Sequence, residues 1–131
     1  MLKKYRYTIL WALWVIAVAV LCLLPTSDIQ KAPRIPIPHF DKVVHCAFYL
    51  GYTVLFILMC RLEIAKKTTE KRIYLWAFIT SISLGISIEA LQALLTTTRS
   101  ADMMDVLANT FGTIIAIGFM KKCKAFFRET N

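Results

Sequence analysis

The chain has 131 residues, of which 58% are apolar and only 18% charged, below the quarter or so expected of a soluble domain. Its net charge is +8, but the basic residues gather at the ends of long apolar runs and form no aromatic-interleaved stripe. That excludes nucleic acid as the expected partner and points to lipid as the main solvent. The cysteines Cys22, Cys46, Cys60 and Cys123 form no C-x-x-C pair and match no zinc-site spacing, so they read as structural, small and largely apolar side chains.

The first apolar run, residues 8–24, carries no charge and sits at the short end of what spans a bilayer. The basic start Lys3-Lys4-Tyr5-Arg6 resembles a signal peptide, yet no small-x-small cleavage site follows, so an uncleaved helix is expected. Residues 25–42 hold all four prolines, Pro25, Pro33, Pro36 and Pro38, and cannot form a continuous helix. The second run, residues 43–60, is interrupted only by His45. The third, residues 73–95, is interrupted by Glu89 and Gln92. The fourth reaches span length as residues 103–120 if its helix starts near Asp102 and Asp105, whose carboxylates suit the positive end of a helix dipole. The expectation is an all-α, polytopic four-transmembrane-helix bundle in a single membrane domain over residues 1–131.

Orientation follows from lysine and arginine. The N-terminus, the connector 61–72 and the C-terminal tail carry twelve of these residues. The proline-rich loop and the turn 96–101 carry four, Lys31, Arg34, Lys42 and Arg99. The positive-inside rule then puts both termini in the cytoplasm and the proline-rich loop outside.

An ionisable side chain within a span is costly and needs a reason. At about 100° per residue, the polar residues of three runs fall into stripes. The second run aligns Asp41, His45, Phe48, Tyr49 and Tyr52, with Lys42 at the edge. The third aligns Ser81, Gly85, Glu89, Gln92 and Thr96. The fourth aligns Asp102, Asp105, Asn109, Gly112 and Ala116. In the N-in/C-in topology the ionisable members all lie toward the outer face, and Arg99 lies in the turn joining two stripes. Gly112 and Gly118 are expected to let the fourth helix approach a neighbour. The last three helices are expected to be mutual neighbours, with the first on the outside. His39 reads as an exposed loop residue, Glu63 and Lys67 as a solvated i,i+4 pair, and several of Tyr5, Tyr7, Trp11, Trp14, Tyr74 and Trp76 as interface anchors.

Taken in order, Asp41-Lys42-x-x-His45-x-x-x-Tyr49, then Glu89-x-x-Gln92, then Arg99-x-x-Asp102-x-x-Asp105-x-x-x-Asn109-x-x-Gly112 resembles the VanZ-like family over residues 41–118. The resemblance implies a bacterial inner-membrane protein. Its founding member is associated with resistance to teicoplanin, a glycopeptide antibiotic with a lipid tail, and most relatives are named by similarity alone.

The candidate site is therefore Asp41, Lys42, His45, Tyr49, Glu89, Gln92, Arg99, Asp102, Asp105 and Asn109. One reading is a binding site for a polar lipid headgroup, a lipid-linked cell-wall precursor or a lipoglycopeptide, with Lys42, His45 and Arg99 receiving a phosphate or carboxylate and the acids and amides receiving amines, hydroxyls or sugar groups. A second is a membrane enzyme acting on such a headgroup, with His45 as a base oriented by Glu89 or Asp105. A third is a purely structural network. A proton path would need more polar groups on the inner side than Ser81, Ser83 and Ser87 supply. His45, Glu89, Asp102 and Asp105 could also hold a divalent metal through mixed nitrogen and oxygen ligands, but one histidine with scattered carboxylates matches no known metal-site spacing, so no metal, cofactor or catalytic residue is assigned. Membrane lipids and a homodimeric copy are the expected partners.

Overall fold

A computed structural model of the chain describes residues 2–23, 39–95 and 102–129. The described residues are helical almost throughout. After a short helical turn, Leu2–Tyr5, come α1 (Arg6–Leu23), α2 (Phe40–Met59), α3 (Glu70–Leu95) and α4 (Met103–Glu129). All four are long and apolar enough to cross a membrane. They run alternately up and down, so α1 and α3 end where α2 and α4 begin.

The starts of α2 and α4 each have a local cause. His39, in the left-handed region at φ 60°, turns the chain so that its carbonyl accepts the Lys42 N–H at 3.0 Å and the Val43 N–H at 3.3 Å. Histidine is among the residues that tolerate this conformation. Asp102 is the cap of α4: its Oδ1 accepts the Met104 N–H at 2.8 Å, the standard use of an aspartate at this position. Beyond Met59, α2 widens into a π-helical turn, Cys60–Ile64.

Glu63 departs from expectation. Its carboxylate accepts the backbone N–H groups of Tyr7 at 2.8 Å and Thr8 at 2.9 Å, and the Thr8 hydroxyl at 2.7 Å. It thus caps the start of α1 from the end of α2, using donors that a helix terminus otherwise leaves unpaired.

Helix α2 is central and packs on all three others, most extensively on α4. Gly112 is the reason. A Cβ there would overlap the Cys46 carbonyl oxygen and come within 3.0 Å of the Cys46 carbonyl carbon, so only glycine permits this backbone approach. Gly118 has open space where a Cβ would stand, and the expected close approach is absent there. Helix α1 lies on the outside, burying only Val18 and Cys22. Trp14 fixes it: its Nε1–H donates to the Phe48 carbonyl at 2.9 Å, and its ring covers Gly51. Trp14 and the half-buried Trp11, which packs beside Tyr52 and Phe56, therefore hold α1 to α2, while Trp76 stays exposed.

The outer surface is apolar. Leu13, Val43, Leu94, Met103, Phe111 and Phe119 are each more than half exposed, which would be a liability in water and is what a lipid-facing surface requires.

Candidate functional site

The polar residues meet where α2 and α4 begin. Lys42, in the first turn of α2, reaches across to α4. Its ammonium donates to Asp102 Oδ2 at 2.5 Å and to Asp105 Oδ1, and lies 3.1 Å from Asp41 Oδ2. Three carboxylates thus converge on one ammonium, and the role expected of Lys42 as an anion receptor is corrected: its donors are already engaged. Asp102, just before α4, is held below the usual carboxylate range by its hydrogen bond from Lys42 and by the Met104 N–H.

One turn deeper, His45 is buried. Its Nδ1 lies 3.2 Å from Asn109 Oδ1. An amide oxygen only accepts, so this bond places a proton on Nδ1 and leaves Nε2 facing Asp105 Oδ2 at 3.9 Å. Glu89 arrives from α3 and is 4% exposed. Its Oε2 accepts the Asp102 backbone N–H at 3.1 Å, tying α3 to the start of α4. Its Oε1 has no partner among the described residues. His45, Glu89 and Asp105 each bring a donor atom within 4.8 Å of the others, although residues from three helices could show no sequence spacing to predict it.

The remaining candidates separate. Gln92 Nε2 donates to the Cys22 carbonyl at 2.7 Å, so this side chain fastens α3 to the end of α1. Tyr49 is buried at 1% exposure in the apolar cluster with Val18, Cys22 and Ile88, its hydroxyl without a partner among the described residues. Arg99 lies outside the described residues, as does Thr96. Below the cluster the polar line continues further than the sequence reading placed it. Thr113 Oγ1 lies 2.6 Å from Ser81 Oγ and 3.5 Å from Thr53 Oγ1, and donates to the Asn109 carbonyl at 3.0 Å. Thr113 sits four residues after Asn109, one turn on, and that spacing was the available signal.

Beside the cluster is a cleft of about 290 Å³ between the ends of α1 and α2. Leu21, Cys22, Phe40, Val44 and Phe48 give it apolar walls, and Asp41 and His45 give it polar ones. This is the small end of the range for ligand sites. His45 belongs to both the cleft and the buried cluster.

Four apolar helices enclosing a buried polar cluster define a multi-pass membrane protein. The sequence model of the VanZ/LLP1 family matches residues 4–127, nearly the whole chain and α1 as well as the motif-bearing helices. The chain belongs to the VanZ/LLP1 family. No curated protein and no solved structure matches it significantly.

Proposed function

We propose that the protein lies N-in/C-in in the bacterial cytoplasmic membrane and binds, at the outer leaflet, a molecule with a polar head and an apolar tail. The observation that carries this reading is the double membership of His45, which joins an apolar cleft to a buried polar cluster. The tail lies in the cleft against Phe40, Val44 and Phe48, and the head lies against Asp41 and His45. The bias of basic residues to the termini and the 61–72 connector supports the orientation. Among the described residues the cluster sets four carboxylates, Asp41, Glu89, Asp102 and Asp105, against the Lys42 ammonium. That balance favours hydroxyl- and amine-bearing heads over a bare phosphate. A lipid-linked cell-wall precursor and a lipoglycopeptide such as teicoplanin both have this form, and a role in glycopeptide resistance follows from binding either.

The test is lipid-resolved native mass spectrometry of the wild type and Val44→Trp, which fills the cleft while keeping every polar side chain of the cluster. A specific adduct on the wild type, lost in an equally heat-stable Val44→Trp, supports the reading. Identical adducts on both, or none on either, sink it. In cells, expression of wild type but not of Val44→Trp should raise the inhibitory concentration of teicoplanin if resistance runs through this site.

A further inference from the structure

The three donor atoms that converge at the centre of the cluster have a property that headgroup binding does not use: each is the spare atom of a side chain whose other polar atom is already fixed. His45 is held through Nδ1 by Asn109, leaving Nε2. Asp105 is held through Oδ1 by Lys42, leaving Oδ2 3.9 Å from His45 Nε2. Glu89 is held through Oε2 by the Asp102 backbone N–H, leaving Oε1 buried with no partner among the described residues. With that tautomer of His45, its Nε2 and one oxygen from each of two carboxyl groups thus face one another, in a side-chain cluster nearly closed to water: His45 is 6% exposed and Glu89 4%. A cation placed in the middle would satisfy all three atoms at once.

We infer that His45, Glu89 and Asp105 hold a divalent transition-metal ion, with zinc the best match to one imidazole and two carboxylates. Zinc sites with three protein ligands and an open position are common, and ligating histidines nearly always donate their other ring N–H to a fixed acceptor, as His45 does to Asn109. The donors lie within 4.8 Å of one another, and bonds of about 2.0–2.1 Å would draw them in to about 3.4 Å in a tetrahedral site. That contraction is within the reach of side-chain rotation, with α2 and α4 locked together by Gly112 and Lys42 and α3 tied to the start of α4 by Glu89. The ion also eases the charge balance, since its two positive charges offset part of the excess of carboxylates over Lys42 among the described residues. The inference stands apart from the headgroup reading: a cluster without an ion could still bind a lipid head, and a metal site could exist with the cleft empty.

The experiment uses the full chain in detergent, purified without a histidine tag, stripped with chelator and titrated with zinc chloride alone and with manganese chloride alone. Bound metal is read by elemental analysis after desalting. The expected result is about one equivalent of zinc or manganese per wild-type chain, saturable. It should be lost in His45→Gln and Glu89→Gln, and about 10- to 100-fold weaker in Asn109→Ala, which removes only the group that orients the imidazole. Gly118→Ala, far from the cluster, should bind as wild type. Wild-type protein that is monodisperse and binds neither ion overturns the inference, whatever the variants do. Equal metal on the wild type and on folded His45→Gln also overturns it, as adventitious binding. Native mass spectrometry of the stripped wild type separates the two readings: a lipid adduct retained without metal leaves the headgroup site standing when the metal site fails, and a metal-loaded protein with no adduct does the reverse.

Discussion

The two ends of the bundle handle charge in opposite ways. At the end where α2 finishes and α3 begins, the Arg61 guanidinium lies 5.3 Å from the centre of the Tyr74 ring, donates to its hydroxyl, and sits 3.4 Å from Glu70. Lys121 lies 5.1 Å from the same ring centre, and Glu63 caps α1. Cations meet carboxylates and an aromatic face, and one guanidinium N–H, Arg61 Nε, has no partner among the described residues. At the other end three carboxylates surround one ammonium with a fourth, Glu89, below them, and an oxygen of that deeply buried Glu89 has no partner among the described residues. The first arrangement closes on itself and serves packing. The second, among the described residues, carries more carboxylates than cations, and the proposed headgroup and ion both rest on that excess.

The largest effect should come from the contact that brings the unbalanced end together. Gly112→Val places a branched side chain on the Cys46 carbonyl and must push α2 from α4. We expect a loss of about 3 kcal/mol, the upper part of the range for overpacking, and with it loss of any ligand that needs His45 and Asp105 side by side. Gly118→Ala, with room for its methyl, should be neutral or gain up to about 1 kcal/mol of helix propensity. Thermal unfolding of both in the same detergent checks the pair, and equal destabilisation would mean that the close approach at Gly112 does not hold the bundle. Next comes Lys42→Met, which strips the ammonium from its carboxylates. A fully buried pair broken this way costs about 3–5 kcal/mol, and the partial exposure of Asp41 and Asp102 brings the expected loss nearer to about 2 kcal/mol. Adding Asp105→Asn should restore part of it, and no recovery in the double variant would show that repulsion among the acids is not the cause.

These pairs also mark how far the sequence could be read. Apolar run length and the 3.6-residue period were enough for four helices and for the stripes bearing Asp41, His45, Glu89, Asp105 and Asn109, because both signals are local. They could not tell Gly112 from Gly118, two small residues near one helix face, since the difference is what stands opposite. Nor could they separate Glu89 from Gln92, which share a stripe but serve α4 and α1 respectively. Glu63 misled for a similar reason: a helical i,i+4 partner was visible at Lys67, while the true partners, Tyr7 and Thr8, are some 55 positions away. Chain-distant partners leave no period to detect.

Glu63 sharpens the contrast from the balanced end. Glu63→Ala removes the cap of α1 and should lower the melting temperature by a few degrees, in line with the loss of a helix cap. It should leave lipid adducts and metal content as in the wild type. Loss of either in a folded Glu63→Ala protein would show that the two ends are coupled and that their difference in charge does not divide structure from function.

The smallest effect concerns acid. Asp102 is held below its ordinary value by Lys42, so its pairing contributes stability that is fully present above the unfolded-chain value of about 3.9 and is lost as pH falls through the lower folded value. Thermal stability should therefore be flat on this account from neutral pH down to about 5 and decline below about 4. Asp102→Asn should flatten that decline, because the amide has no proton to gain. Side-chain exposure of Asp102 at 44% keeps the change small and sensitive to salt. Asp102 also caps α4 through Oδ1, a bond that asparagine can keep, so the variant tests the charge without removing the cap. If the acid decline is equally steep in wild type and Asp102→Asn, the Lys42–Asp102 pair is a surface contact of no consequence, and the imbalance at this end rests on the deeper carboxylates, Glu89 and Asp105, alone.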